Sequence, residues 1–199
     1  MMKISIKYGI IIASVIIGTL LCYWFVDIPI AWFFHHEDQS SVRVMADRIT
    51  EAGNSAWILV PSLVLWIVLW RKWRDHAKKW MVLFLSVAVS GILANIIKVI
   101  VCRTRPPLLF DKGIYDIDMF GFVIDFLHNS FPSGHATTAM SAATVGAIMY
   151  PALRIPLYIA GGIVAFSRVM VGVHYFSDVI VGTFIGVATA LFFAYKFLR

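Results

Sequence analysis

Long apolar runs alternate with short polar ones along this chain, and the lengths of the runs predict its elements. The first run, Tyr8 to Val26, follows Lys3 and Lys7 and so resembles a signal peptide. No small-x-small site closes it, and Leu20 and Leu21 before Cys22 fit a lipoprotein cleavage site poorly. A retained transmembrane helix is therefore predicted over 8–26. Residues 27–54 are polar and acidic. Val42, Met45 and Ile49 recur there at helical spacing, with Arg43, Asp47 and Arg48 between them, which predicts a short amphipathic helix on the membrane surface.

Further spans are predicted over 55–70, kinked at Pro61, and over 80–102. An outer loop follows over 103–131, carrying Asp111, Asp116, Asp118 and Asp125. The run 136–150 is built of Ala, Thr, Ser and Gly, small enough for close backbone approach, and so is placed in the centre of a bundle. Spans over 156–172 and 177–198 complete the pattern, with Arg154 in the turn before the first. Gly182 and Gly186 in the second read as a helix-packing motif. The fold class expected is all-α: a polytopic membrane protein with a six-transmembrane-helix bundle, a short interfacial helix after the first span, and one domain over 1–199.

Composition agrees with this and excludes other classes. The chain is 60% hydrophobic, with a mean hydropathy of +0.84, far from a soluble domain. Its net charge of +6 raises nucleic acid as a partner, but the basic residues flank apolar segments and form no aromatic-interleaved patch, so no nucleic-acid binding is expected. The segment RKWRDHAKKW, residues 71–80, is a short basic loop of the kind retained in the cytoplasm. With six spans it places both termini inside and most acids outside. Cys22 and Cys102 match no metal or redox spacing and read as free thiols. His35, His36, Glu37 and Asp38 read as a solvated loop, since adjacent histidines and acids rarely close a coordination shell.

That topology puts every polar motif at an outward helix end. His174 and Asp178 are four apart, one helical turn on one face. A carboxylate there can accept from one ring nitrogen and leave the other unprotonated and free to attack. Arg168 lies six residues earlier, across Gly172, with a planar fork suited to phosphoryl oxygens. Lys98 and Arg105 are seven apart, about two helical turns or 10 Å of rise, although Pro106 disfavours helix at Arg105 itself. Pro132, Ser133, Gly134 and His135 form a helix start, with Ser133 as cap, Gly134 permitting close approach, and free N–H groups suited to a phosphate. Each motif alone has a structural reading: an interfacial ion pair, a snorkelling lysine, a capped turn.

Together, Lys98-x6-Arg105-Pro106, Pro132-Ser133-Gly134-His135 and Ser167-Arg168-x5-His174-x3-Asp178 resemble the three-part signature of the type-2 phosphatidic acid phosphatase family, which includes lipid phosphatases and vanadium haloperoxidases. The signature covers the last half of the chain without departure. The resemblance implies a lipid phosphate substrate met at the bilayer; the outer-loop carboxylates show no spacing that demands a metal, so no cofactor and no metal are expected. It implies His174 as nucleophile forming a phosphohistidine, Asp178 orienting it, and His135 as general acid. Lys98, Arg105, Arg168, Ser133 and the Gly134 N–H would bind the phosphoryl oxygens. Undecaprenyl diphosphate, phosphatidylglycerol phosphate, phosphatidic acid and lipid A phosphates all fit such a site.

A bacterial inner membrane is expected, with the site on the outer face; oligomeric state is left open. Two other readings compete. A phosphotransferase would pass the phosphoryl group from His174 to a second lipid. A transporter would line a path with the charges, but these cluster at one face rather than through the membrane. A haloperoxidase-like oxidation leaves six spans without a purpose.

Overall fold

The computed structural model describes residues 2–36 and 41–198, with side chains from Ile6 onward. Its helices are α1 (Met2–Phe25), α2 (Asp27–His36), α3 (Ser41–Thr50), α4 (Ala56–Leu69), α5 (Arg74–Val101), α6 (Pro106–Lys112), α7 (Gly134–Met149), α8 (Arg154–Met170) and α9 (Phe176–Phe197). No β-strand occurs among the described residues; a single bridge joins Arg103 and Ile117.

Among the described residues five segments are long and apolar enough to cross a membrane: Ile6–Phe25, Ser41–Leu69 (α3 and α4 taken together, α4 alone having 14 residues), Arg74–Val101, Pro151–Met170 and Phe176–Phe197. The sixth expected span, α7, has 16 residues. That is about 24 Å of helix, short of the roughly 30 Å hydrocarbon core. It is nevertheless the centre of the fold, packed against α5, α8 and α9 and buried along most of its length. Its small side chains are what allow this. On α9, a Cβ at Gly182 would stand 2.5 Å from the Ser133 carbonyl oxygen, and one at Gly186 would overlap the Thr137 carbonyl oxygen. The Gly-x3-Gly pair is thus the contact through which α9 reaches the α7 backbone.

Several boundaries differ from the expectation. α5 begins at Arg74 rather than Trp80, because Arg, Ala and Lys favour helix and Asp75 pairs with Lys78 at 3.5 Å. The basic loop is therefore mostly helical. α5 ends at Val101, and Cys102 turns left-handed with φ 44°. Lys98 and Arg105 consequently do not share a helical stripe; the chain bends between them. Pro106 begins α6 at its first position, where a missing N–H costs nothing. Arg154 lies at the start of α8 rather than in the turn before it.

The segment after α1 also differs. His35 and His36 end a helix, and His35 stacks on Phe110 at 4.0 Å; the expected solvated loop is absent there. Glu37 and Asp38 lie outside the described residues. α3 forms where an amphipathic helix was expected, but it buries Ala46 and Thr50, while Val42 and Met45 point outward. It packs on α8. Pro61 lies inside α4, and Cys22 and Cys102 are unbonded.

Candidate active site

The site assembles where the starts of α7 and α9 meet the ends of α5 and α8. One hydrogen bond stitches the two starts: Ser133 N–H donates to the Asp178 carbonyl at 3.0 Å. Asp178 sits in the first turn of α9, and its Oδ2 accepts from Tyr175 N–H at 2.9 Å. That capping bond fixes the carboxylate before any other partner acts.

The loop between α8 and α9 carries His174. Gly172 turns it with φ 67°, and the N–H groups of Val173 and His174 both donate to the Arg168 carbonyl at 3.2 Å. His174 is 3% exposed, and its Nδ1 stands 3.4 Å from Asp178 Oδ2. The Ser130 hydroxyl donates to the same oxygen at 2.5 Å and lies 3.5 Å from Nδ1. This pattern assigns the ring proton to Nδ1 and leaves a lone pair on Nε2. Burial holds His174 well below the usual histidine range. Asp178 pulls the other way, and Arg105 and Lys98 reinforce the lowering. The ring is therefore neutral at pH 7.

Three cations surround it. Lys98 Nζ donates to the Asn129 carbonyl at 2.7 Å and to that of Ser130 at 3.4 Å. Arg105 donates to the same Asn129 carbonyl at 3.1 Å and to that of Val173 at 3.2 Å. Arg168 donates to Thr50 Oγ1 at 2.7 Å. Among the described residues none of the three has a carboxylate oxygen within the 4.0 Å of an ion pair. Among the described residues the buried Nε–H groups of Arg105 and Arg168 have no protein acceptor, and neither has that of Arg103. Unneutralised charge and unmet donors are what an anion site requires. Arg105 is lowered to about 10 by burial and by Arg168, and stays protonated at working pH.

Ser133 caps α7, accepting from Ala136 N–H at a long 3.5 Å, and Gly134 has open space on its Cβ side. His135, in the first turn of α7, packs beside Gly53, where an added Cβ would come within 2.9 Å of its ring. Its pKa is pushed down to about 4 by burial and then by Arg168, Arg105 and Lys98. All eight sequence-derived residues thus lie at this end of the bundle. The motifs are brought together by hydrogen bonds between segments and not by the helical spacing of Lys98 and Arg105.

Other residues were not anticipated. Arg103, 1% exposed, donates to Asp178 Oδ1 at 2.5 Å and to Asp27 Oδ2 at 2.7 Å. Ser177 hydrogen-bonds Asp27 through both its N–H, at 2.9 Å, and its hydroxyl. The rings of Tyr175, Tyr23 and Tyr115 surround the guanidinium, at 4.3, 5.0 and 5.3 Å from centroid to charge. Burial opposes that charge, but the two carboxylates outweigh it and hold the proton more firmly than usual. Asp27 offered one signal: between Lys7 and Glu37 no other Asp, Glu, Lys or Arg occurs, and a lone acid at a span end has to be paired or solvated. Ser130 and Thr50 carried no comparable mark.

Residues 79–199 match the PAP2 superfamily. The chain is 33% identical over 170 residues to a lipid A 1-phosphatase of Rhizobium johnstonii, covering 79% of this chain and 69% of that protein. It is 33% identical over 153 residues to a decaprenylphosphoryl-5-phosphoribose phosphatase of Mycobacterium tuberculosis, covering 75% and 77%. Two crystal structures share the fold. Aquifex aeolicus LpxE aligns with a TM-score of 0.64 at 21% identity, over 85% of this chain and 95% of its own. The first transmembrane PAP2-type phosphatidylglycerolphosphate phosphatase from Bacillus subtilis aligns at 0.66 and 20%, over 92% and 94%.

Proposed function

The chain belongs to the PAP2 superfamily, and on that premise we propose that it is an integral membrane phosphatase acting on a phosphomonoester or diphosphate of a membrane lipid. The observation that carries this reading is the His174–Asp178 pair at one end of the bundle with three cations that, among the described residues, have no carboxylate within ion-pair distance. His174 Nε2 attacks phosphorus in line, the P–O bond to the lipid breaks, and a phosphohistidine forms. Asp178 stabilises the imidazolium that results. Lys98, Arg105 and Arg168, with Ser133 and the Gly134 N–H, bind the phosphoryl oxygens as charge shifts onto the leaving group. His135 protonates the departing lipid oxygen.

The same three cations that depress His135 are neutralised by a bound phosphate, which raises its proton affinity when an acid is needed. Once neutral again, His135 takes a proton from water as water attacks the phosphohistidine, and phosphate leaves. Positioning and fixed charge suffice for this chemistry, so turnover without a divalent metal is expected.

The relatives act on lipid A and on a decaprenyl phosphosugar, both phosphates borne on membrane-anchored lipids. We assign this chain a substrate of that class, reached from the membrane. With α7 as a sixth span over 136–150, both termini are cytoplasmic and the site opens on the outer face of a bacterial inner membrane. α3, with Val42 and Met45 outward, lies at that interface. The test is phosphate release by detergent-purified protein in EDTA, across lipid A, phosphatidylglycerol phosphate, phosphatidic acid and polyprenyl diphosphate. Release from at least one lipid, absent in His174→Ala, is the expected result. Equal release by His174→Ala would overturn the nucleophile assignment.

A further inference from the structure

The loop from Met119 to Leu127, MFGFVIDFL, places large apolar side chains where the outer polar loop was expected. Met119, Phe120, Phe122, Ile124 and Phe126 are all exposed, Ile124 at 83%. The loop holds one charge, Asp125, and that is paired with His128 at 2.8 Å. A contiguous apolar surface of this kind, rimmed by polar groups, marks a contact with something apolar.

The loop is also fastened. Phe120 N–H donates to the Ile100 carbonyl at 2.7 Å and Val123 N–H to Cys102 Sγ at 3.3 Å. At the far end the Leu127 carbonyl accepts from Arg105 N–H at 2.8 Å. These bonds hold the loop alongside the end of α5. Phe122 closes a groove of about 540 Å³ with Ile92, Asn95, Ile96, Val99 and Ile100. Ile96 is five residues before the end of α5, which puts it roughly 7.5 Å down the helix axis, on a side where Ile92 and Ile96 are themselves exposed. The loop surface therefore continues the membrane-facing side of α5, at the depth where interfacial apolar side chains reside.

We propose that the 119–127 loop is embedded in the outer leaflet and forms the apolar threshold between the bilayer and the phosphate site. The segment reaches the site directly. Phe126 lies 3.9 Å from the Arg105 guanidinium carbon. Asn129 supplies the carbonyl shared by Lys98 and Arg105, and Ser130 bonds Asp178. A lipid whose chains lie against Phe120, Phe122 and Ile124 brings its headgroup to Phe126 and the cations beyond. This threshold rests on the lipid phosphatase reading for its purpose, but its place in the bilayer can be measured without any activity.

The experiment uses the full chain in vesicles of phosphatidylcholine and phosphatidylglycerol, with Cys22 replaced by alanine and Cys102 by serine, whose hydroxyl can still accept from Val123 N–H. A nitroxide is attached at Ile124→Cys and, for reference, at the exposed Lys112→Cys. At position 124 collisions with oxygen should exceed those with a water-soluble nickel chelate; at 112 the order should reverse. Chelate access at 124 equal to that at 112 would overturn the embedding. Dipolar broadening between labels at 124 would overturn it too, by showing a second copy on this surface.

The threshold itself is tested by the variant with Phe120, Phe122 and Ile124 all changed to Ser. Its turnover of the lipid substrate in vesicles should fall about tenfold through KM, as a loss of apolar contact does. Its turnover of water-soluble para-nitrophenyl phosphate should stay within twofold of the parent chain. Equal losses on both substrates would overturn the threshold, and a failure of the parent chain on every phosphate ester would fall on the lipid phosphatase reading instead.

Discussion

Arg103 and Arg105 stand two residues apart between α5 and α6, and they meet opposite company. Arg103 is shared between Asp178 and Asp27 and enclosed by three tyrosine rings. Among the described residues the Arg105 guanidinium hydrogen-bonds the carbonyls of Asn129 and Val173 and has no carboxylate within ion-pair distance, with Phe126 on one face. A guanidinium whose charge is cancelled by two carboxylates has little field left for a substrate; it fixes the carboxylates instead. A guanidinium held by neutral oxygens keeps its field and is positioned at little electrostatic cost. Residue type and burial are alike at the two positions. The partners separate them.

Exchanging each for alanine breaks the comparison most sharply. Arg103→Ala strands Asp27 and Asp178 as buried, unpaired carboxylates and should lower unfolding stability by about 3–5 kcal/mol. Arg105→Ala should leave unfolding in detergent close to that of the parent chain and reduce kcat/KM about 10²–10³-fold. Loss of stability in Arg105→Ala with full stability in Arg103→Ala would reverse the two assignments. Phosphate release and denaturant unfolding on the same preparations decide between them.

Ser130 stands on the boundary between the two regions, donating to Asp178 while lying 3.5 Å from His174 Nδ1. Arg103 and the Tyr175 N–H remain on Asp178 when Ser130 is removed, so Ser130→Ala should keep the fold. Turnover should fall about tenfold, the effect of losing one hydrogen bond to a charged group. A loss confined to KM would place Ser130 with substrate binding instead.

The smallest effect is the pH dependence of stability. His135 and His174 both have pKa values lowered in the folded chain. Between the free-histidine value near 6.5 and the folded values, the unfolded chain binds more protons than the native one. Stability therefore falls as pH falls through that window, which for His135 reaches down to about 4. Thermal unfolding from pH 7.5 to 5 should show a declining midpoint, with a shallower decline in His135→Gln. Vanadate, by neutralising the cations, should flatten the decline in the parent chain. An unchanged slope in vanadate would place His135 away from the bound anion.

Much of this was legible in the chain, and the reasons for the rest are specific. Apolar run lengths located the helices, because a membrane leaves the backbone few other ways to satisfy its hydrogen bonds. The helix start at Ser133 is local and could be read locally, whereas His174 and Asp178 were expected on one helical face and instead meet across the start of α9, with His174 in the loop before it. The Arg103 cluster is not local: its partners come from residues 27 and 178, and no period in the chain links those positions. The turn at Cys102 was equally hidden, since a left-handed residue other than glycine leaves no signature. The short helix α6 escaped because 103–131 was read as one outer loop, whereas proline suits the first position of a helix.

Asp27 opens α2, just past the end of α1, and its partner Ser177 follows 150 residues later. At a translation rate of 5–20 residues per second, that interval is on the order of ten seconds. Throughout it, the carboxylate has to remain hydrated at the membrane surface, first until Arg103 emerges and then until α9 arrives. α9 therefore closes a ring begun at the start of α2. Asp178, beside His174, and the counter-charge that cancels it become one structure only once α9 has been made, so a chain synthesised as far as α8 carries Lys98, Arg105 and Arg168 without the His174–Asp178 pair.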